Sequence, residues 1–329
     1  MEQIQGIMEA AQETPSQAGF GVPISAIRRG IEHGVRKVNI DTNGRLAMTA
    51  ALRELFRDDP GNCDPRGPGK AEGGPDAKLL AGGHSLLPLM KLRFAAPSLL
   101  VDMRKLDELR GIQTGDDTYR IGALTRHSEL QAREDMGLIS AVAGKIADQQ
   151  VRNRGTIGGS LAHGDTAADF PAMVLAMDGS VTLRGPDGER EVAATDMFEG
   201  YLTTAVRHGE VLTEVRLPAL VGYGHGYEKF NRRAEDWAMV GVCALVKVTD
   251  GVCEDVRIGL THMASTPLRA SAAEDALRGQ PCDAQHIDAA AQLAAEGTSP
   301  LGDLNATPEY KQHLARVLTR RALTTAAAA

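Results

Sequence analysis

Residues 151–171 read VRNRGTIGGSLAHGDTAADFP. The stretch sets a Gly-Gly pair inside a run of small residues, Gly155-Thr156-Ile157-Gly158-Gly159-Ser160. His163, Asp165, Asp169 and Pro171 follow it. A second Gly-Gly pair lies well upstream, in residues 78–93, KLLAGGHSLLPLMKLR. Each pair borders an apolar run, so two glycine turns from distant parts of the chain are expected to close on one ligand.

The chemistry of such turns narrows the ligand. Glycine has no Cβ, so its backbone takes positive φ and lets a ligand come close. Successive N–H groups in such a turn make a concave anion site. A diphosphate has no apolar surface and needs many donors, which backbone amides supply. Ser85, Thr156 and Ser160 add hydroxyls beside the turns. A tight turn in a sheet is the plainer reading of either pair alone, so the expectation rests on the two together. Neither matches the G-x-G-x-x-G of a Rossmann fold or a P-loop.

A chain of 329 residues favours two or three domains and has ample length for real cores. Its 43% hydrophobic content is ordinary for a globular protein. The net charge of −7, without a basic block, argues against nucleic acid and against an anionic membrane surface. Cys63, Cys243, Cys253 and Cys282 are widely spaced, form no iron–sulfur or zinc pattern, and read as reduced thiols of a cytoplasmic protein. No signal peptide or membrane-spanning run is visible.

Taken in order, strands are expected at 77–80, 99–102 and 119–123. A short helix at 86–92 would aim its amides at the diphosphate. Helices follow near 126–133 and at 138–150, the latter with Leu138, Ile139, Val142 and Ile146 as its buried stripe. Residues 179–183 and 191–192 flank a Gly185-Pro186-Asp187-Gly188 turn, and 210–218 is a strand. Residues 226–233, GYEKFNRR, open the last domain. Strands at 237–248 and 252–260 surround an Asp250-Gly251 hairpin turn. Helices are expected near 270–277 and 284–295. The final helix has Thr307 as N-cap and Pro308 at its first position, with Tyr310, Leu314, Val317 and Leu318 on its core face. The fold class is α+β.

AGGHSLLPLMKLR followed by VRNRGTIGGSLAHGD and the later Asp169-x-Pro171 resembles the FAD-binding medium subunit of molybdenum hydroxylases, with the aerobic carbon monoxide dehydrogenases as the nearest group. The resemblance covers about residues 76–321. It implies a p-cresol methylhydroxylase-type FAD-binding domain at 76–222. A C-terminal domain at 223–325 would follow, a small antiparallel sheet with helices. FAD would lie between the two loops. Lys78, Leu79, Leu80, Ala81, Gly82, Gly83, His84, Ser85 and Leu86 would line its adenine and diphosphate side. Gly155, Thr156, Gly158, Gly159 and Ser160 would hold the diphosphate from the other side. Asp169 would bond the ribityl or ribose hydroxyls, His163 would sit near the ring, Leu212 would pack on it, and Lys229 would lie near its reactive end. Plainer readings stand beside these: a helix cap for Asp169, an interior histidine for His163, a core leucine for Leu212, a solvated lysine for Lys229. Thr166 stands where many relatives have proline.

The front of the chain differs. Residues 21–46, GVPISAIRRGIEHGVRKVNIDTNGRL, give a helix, then a short strand at 35–40 with Asn39, Asp41 and Thr42 at its end, then an amphipathic helix at 45–57. HGVRKVNIDTNGRLAMT resembles the C-terminal end of class II fructose-bisphosphate aldolases. There the matching strand end contacts a phosphorylated substrate. Asn43 departs from an acidic residue of that family. Most of the (β/α)₈ barrel, with its metal-binding histidines, is missing, and an unclosed barrel leaves strand edges unpaired. Residues 1–66 are therefore expected to be a helical appendage rather than a lyase. Residues 67–75, GPGKAEGGP, are a linker; together these replace the strand and helix that precede the first glycine loop in the flavoprotein family.

The resemblance implies an oxidoreductase subunit that carries electrons on FAD, with no catalytic side chain and no metal of its own. An iron–sulfur small subunit would supply electrons taken from substrate by a molybdenum-containing large subunit. The FAD would pass them to a quinone or other acceptor, from the cytoplasm or the inner face of the cell membrane, in a dimer of heterotrimers. The other expectation is a fusion with an aldolase remnant that binds flavin weakly or not at all.

Overall fold

A computed structural model describes residues 77–115 and 117–328. The segment 1–66, with Asn39, Asp41 and Thr42, and the linker 67–75 lie outside the described residues. Residues 77–87, 97–115 and 117–328 belong to one compact unit, and Pro88–Ala96 to another.

Strand β1 (Ala77–Leu80) lies parallel to β2 (Leu99–Asp102), with Ala77 opposite Leu99 and Leu80 opposite Asp102. Helix α1 (Leu86–Lys91) starts between them, beyond the first glycine loop. Parallel strands need such a crossover. Next come β3 (Ile112–Thr114) and β4 (Thr118–Gly122). Helices α2 (His127–Gln131), α3 (Leu138–Gly144), α4 (Gln149–Arg152), α5 (Ile157–His163) and α6 (Asp169–Ala176) follow. The hairpin β5 (Ser180–Gly185) and β6 (Gly188–Ala193), a one-turn helix α7 (Ala194–Met197), the short pair β7 (Phe198–Gly200) and β8 (Thr203–Thr204), and β9 (Val211–Pro218) complete this half. Its sheet is antiparallel in the order β3-β4-β9-β5-β6.

The second half is a four-stranded antiparallel sheet in chain order: β10 (Tyr223–Phe230), β11 (Val240–Thr249), β12 (Val252–Thr261) and β13 (Leu268–Arg269). Helices α8 (Ser271–Leu277), α9 (Ala284–Gln292) and α10 (Pro308–Ala327) follow it. Asp250 (φ 52°) and Gly251 (φ 78°) both take left-handed backbone, the requirement of the two-residue turn expected between β11 and β12. Thr307 caps α10 by accepting from the Tyr310 amide, with Pro308 in the first turn.

The sheet β10–β13 is covered on both faces, and β11 shows how. Its Cys243 and Leu245 join the core built from α3, α5, α6 and the five-stranded sheet. Its Val240, Val242, Ala244 and Val246 join the core under α8, α9 and α10. Alternate side chains of one strand therefore serve two cores, which is why the run VGVCALV is apolar throughout. Two glycines let helices come down onto the sheet, one on each face. A Cβ on Gly259 of β12 would lie 3.0 Å from the Ala172 carbonyl carbon of α6. A Cβ on Gly226 of β10 would lie 2.9 Å from that of Ala322 in α10.

Three expectations are corrected. The single helix at 138–150 is two. Its chain breaks after α3, where Ala147 takes φ 43°, and Asp148 starts α4 by accepting from the Val151 amide at 2.8 Å. The Arg152 guanidinium holds the break by donating to the Ile146 and Ala147 carbonyls, each at 2.7 Å. The second glycine stretch is not a turn in a sheet. Thr156 is the N-cap of α5, and Gly158 and Gly159 lie in that helix's first turn. The buried face of α10 runs through Lys311, Leu314, Ala315, Leu318 and Thr319, whereas Tyr310 is exposed and Val317 half-buried. The face rotates because Lys311 is wholly buried, its ammonium bonded to Asp303 Oδ2 at 2.7 Å and the Leu301 carbonyl at 2.8 Å.

Replacing Gly259 by Ala forces α6 off the sheet. Urea denaturation of Gly259→Ala is expected to show a loss of about 1–3 kcal/mol. Gly200→Ala, whose added Cβ meets nothing closer than Thr203 Cβ at 3.9 Å, serves as the near-neutral control.

Candidate functional site

The two glycine stretches meet. A Cβ on Gly82 would run into the Arg154 carbonyl and lie 2.8 Å from Gly155 Cα, so the first loop packs backbone to backbone on the residues that lead into α5. Ala81 is in van der Waals reach of Gly159, 3.8 Å from a Cβ built there. Gly83 has φ +80°, a conformation natural to glycine, and its carbonyl accepts from the Leu87 amide at 2.9 Å, turning the chain into α1.

The amides of the two stretches do different work. In the second, Gly155 donates to Val151 O (2.7 Å), Ile157 to Thr125 O (3.1 Å) and Gly158 to Ala123 O (2.9 Å). Gly159 donates to Thr156 Oγ1 (3.2 Å) and Ser160 to Thr156 O (3.0 Å). These bonds tie α5 to the 123–127 segment and cap the helix. In the first loop, among the described residues, no acceptor is bonded to the amides of Gly82, Gly83, His84 or Ser85. The open donors therefore lie on the first loop, and the second stretch is the support on which it rests.

Beneath that support sits His127, at the start of α2. Its Nε2 would be 2.6 Å from a Cβ on Gly155, so glycine is required there. Its ring meets Phe170 edge-on at 5.1 Å. The Nδ1 atom is buried and has no hydrogen-bond partner among the described residues. Burial, helped by the nearby His84 and Arg152 charges, lowers the imidazole to about 4. Burial and the Arg154 charge likewise lower His84, against an opposing pull from Asp148. Arg154 is exposed and, among the described residues, has no salt-bridge partner. It stands beside the first loop as a guanidinium open to an anion. Neither Arg154 nor His127 is singled out by the sequence reading; Arg154 next to Gly155 in VRNRG was the available signal.

Phe170 leads to Asp169, the first residue of α6. Asp169 and Lys229 are each only 4% exposed and form an ion pair, Nζ to Oδ2 at 3.0 Å. The other carboxylate oxygen accepts from the Tyr227 hydroxyl. Lys229 also donates to the Lys145 carbonyl at 3.2 Å. Burial raises the Asp169 carboxyl, with Lys229 and Tyr227 opposing, and burial keeps the Tyr227 phenol protonated as donor. Asp169 is not an N-cap: that position is Ala168, without a side-chain bond. Lys229 is not solvated. His163 ends α5 half-buried, its imidazole lowered by burial against the pull of Asp165. Leu212, 5% exposed, is part of the first core, opposite Leu183. Lys78, Leu79 and Leu80 form β1, partly buried, and Leu86 opens α1. The structure thus brings Ala81, Gly82, Gly155 and Gly159 together, links them through His127 and Phe170 to Asp169 and Lys229, and leaves Leu212 in the core.

Among the described residues, no cluster of three or more His, Cys, Asp or Glu could hold a metal, and no helix is long and apolar enough to cross a membrane.

Comparison with known proteins follows the same two halves. Residues 69–220 match the FAD binding domain in molybdopterin dehydrogenase, and residues 225–326 match the CO dehydrogenase flavoprotein C-terminal domain. The carbon monoxide dehydrogenase medium chain of Hydrogenophaga pseudoflava is 42% identical over 260 residues, 77% of this chain and 90% of that one. The 6-hydroxypseudooxynicotine dehydrogenase complex subunit alpha of Paenarthrobacter nicotinovorans is 38% identical, over 77% and 88%. A solved Hydrogenophaga pseudoflava carbon monoxide dehydrogenase, lacking the Mo-pyranopterin moiety of its molybdenum cofactor, superposes with a TM-score of 0.75 at 43% identity, over 78% and 91%.

The His127 imidazole gives the site a pH signature. Its folded pKa of about 4 lies below the ordinary 6.5, so the folded state binds fewer protons than the unfolded between those values. Its contribution is complete above pH 6.5 and is lost as pH falls toward 4, in total on the order of 3 kcal/mol. Denaturation at stepped pH should show a steeper acid loss for the wild type than for His127→Gln.

Proposed function

Because the chain belongs to the family of FAD-binding medium subunits of molybdenum hydroxylases, we propose that it takes electrons from the [2Fe–2S] clusters of a small partner subunit and hands them to an acceptor, in a complex that oxidises carbon monoxide. It is an oxidoreductase subunit, and its cofactor is FAD.

The residues fit that cofactor. The amides of Gly82–Ser85, unspent among the described residues, and Arg154, without a salt-bridge partner among them, are donors of the kind a diphosphate needs. The glycines at 82 and 155 let the two stretches pack backbone to backbone, which fixes where those amides lie. We place residues 78–86 on the adenine and diphosphate side, with Arg154 beside them. Gly155, Thr156, Gly158, Gly159 and Ser160 form the opposite wall, to which the Thr156 and Ser160 hydroxyls add polar groups. His163, Asp169, Leu212 and Lys229 are assigned to the ribityl and ring side. There Asp169 and Lys229 act as one buried pair with Tyr227, and Leu212 acts through the core that backs the site.

Bound FAD supplies storage for two electrons, accepted singly or together, which protein side chains do not. The chain's own part is to grip the diphosphate, keep water from the buried side through the first core, and hold the Lys229 ammonium at a fixed position. A buried positive charge favours a reduced, negatively charged ring, and Asp169 moderates it. Carbon monoxide is proposed as the substrate of the complex because of the 42% identity to a carbon monoxide dehydrogenase medium chain. The substrate would be selected by a molybdenum-containing large subunit. A dimer of heterotrimers, cytoplasmic or lying against the inner face of the cell membrane near a quinone acceptor, is the proposed setting.

The observation that carries this reading is the pairing of an open-amide loop with a glycine support, Gly82 on Arg154-Gly155. The purified chain is expected to bind FAD, seen as flavin absorbance retained through gel filtration. Arg154→Ala should weaken binding about tenfold, the loss of one charge-assisted contact, in a fluorescence titration with FAD. Gly82→Val should abolish it. Retention of wild-type affinity in both variants would move the cofactor elsewhere. Co-expression should yield a complex with iron–sulfur and molybdenum subunits. A flavin-bound chain that joins no such complex would leave the cofactor assignment intact and overturn the electron path.

A further inference from the structure

The segment 279–282, between α8 and α9, adds itself to β12 along the part of its edge that β13 does not cover. The Gly279 amide donates to Cys253 O (2.8 Å), the Cys253 amide to Gln280 O (2.9 Å) and the Cys282 amide to Gly251 O (2.8 Å). Val252 and Pro281 face each other as an antiparallel bridge. Side chains alternate across such a pairing, so Cys253 and Cys282 fall on one face, diagonal to each other. The Cys282 side chain lies near enough to act on the Cys253 thiol. Both cysteines are free. Cys253 is wholly buried in the second core and Cys282 is half-buried at its margin.

We propose that Cys253 and Cys282 are a redox-active dithiol, which a hydroperoxide closes to an intramolecular disulfide that fastens the 279–282 segment to β12. Cys282 is the sulfur a reagent in solution can reach. As thiolate it attacks the terminal oxygen of the hydroperoxide. The O–O bond breaks, the alkoxide takes a proton and leaves as alcohol (water, for hydrogen peroxide), and Cys282 becomes a sulfenic acid. The Cys253 sulfur then attacks that sulfur, the S–O bond breaks, and water leaves with the Cys253 proton. Two thiols give up two electrons and two protons in all, and the peroxide is reduced. Burial and the neighbouring Cys282 push the Cys253 thiol up to about 12, so it is the resolving sulfur and not the one first oxidised. The cross-link would lie just before Asp283, the N-cap of α9, and so tie that helix to the β11–β12 hairpin. This inference is independent of the flavin assignment.

The test uses the full chain, reduced, then treated with a few equivalents of hydrogen peroxide and digested without reductant. Mass spectrometry is expected to find the Cys253 and Cys282 peptides joined, with Cys243 still a thiol. Dithiothreitol should separate them. Cys253→Ser should leave Cys282 as a sulfenic acid that dimedone labels, and Cys282→Ser should leave Cys253 unoxidised. Should either variant fail to fold, phenylarsine oxide on the reduced wild type keeps the proposal testable: one equivalent should bind and block the peroxide cross-link. The closed chain should melt about 5 °C higher than the reduced one. Oxidation of Cys282 to sulfinic or sulfonic acid with Cys253 intact, or linkage of either to Cys63 or to another chain, overturns the dithiol. An unchanged melting temperature with the cross-link present overturns the fastening.

Discussion

The arrangement of the whole flavin half depends on one close approach, the backbone of Gly82 against the Arg154 carbonyl and Gly155 Cα. No side chain fits between them. That contact sets where the first loop sits, and so where its unspent amides lie relative to the start of α5. The support is itself wedged from below. Gly155 presses on His127, and Gly158 presses on Ala123, whose Cα would be 2.8 Å from an added Cβ. Each of these glycines answers a different neighbour, so their clustering in sequence reflects several packing demands at one place. A larger residue at any of them moves the loop away from its support, and in a close-packed interior such a shift is not absorbed locally.

A second constraint joins the two halves. The Asp169–Lys229 pair links α6 to β10 and is almost fully shielded from water. Two charges taken from water are compensated only when their remaining hydrogen-bonding capacity is met. Here Tyr227 and the Lys145 carbonyl help to meet it, bringing in β10 again and the break between α3 and α4. The Lys311 ammonium repeats the pattern: Asp303, the Leu301 carbonyl and His262 Nε2 surround it, while His262 Nδ1 reaches the Ala238 carbonyl at 2.9 Å. The His262 amide in turn donates to Thr166 O at 2.8 Å, in the segment that follows α5. Buried charges thus hold loops of the second half against the segment that carries the site. The direction of influence runs through hydrogen bonds whose loss would leave an ion without partners, which is costlier than the loss of the contact itself.

Much of the fold was legible because it is written locally. Asp250-Gly251 can hardly be anything but a tight hairpin turn, and Thr307-Pro308 marks a helix start whatever the rest of the chain does. That the two glycine stretches meet was legible, but their conformation was not. Gly158-Gly159 read as a turn because glycine weakens helices, and the cap from Thr156 with the bonds to Ala123 and Thr125 overrides that tendency. The break after Gly144 could have been found, since Asp148 is a good N-cap four residues later. What no local pattern reveals is pairing at long range. Asp169 and Lys229 lie sixty positions apart, and each had a sensible local reading, a helix cap and a surface lysine, that the tertiary structure replaces. Lys311 shows the same limit: nothing in the local pattern of α10 marks a lysine that a loop folds over and buries.

The division between donor loop and supporting helix has a physical reason. A turn that must leave several amides open for an anion has those amides missing from its own hydrogen-bonding balance, and a buried N–H without a partner is expensive. Such a turn holds its shape poorly by itself. The second stretch does the opposite: it spends its amides on Val151, Thr125, Ala123 and Thr156 and becomes rigid. Setting the open loop on the closed one, with only glycine backbone between them, transfers the rigidity without a hydrogen bond being diverted from a ligand. Two glycine-rich stretches are needed, and they differ in chemistry, because one segment cannot both keep its donors free and use them to stay in place.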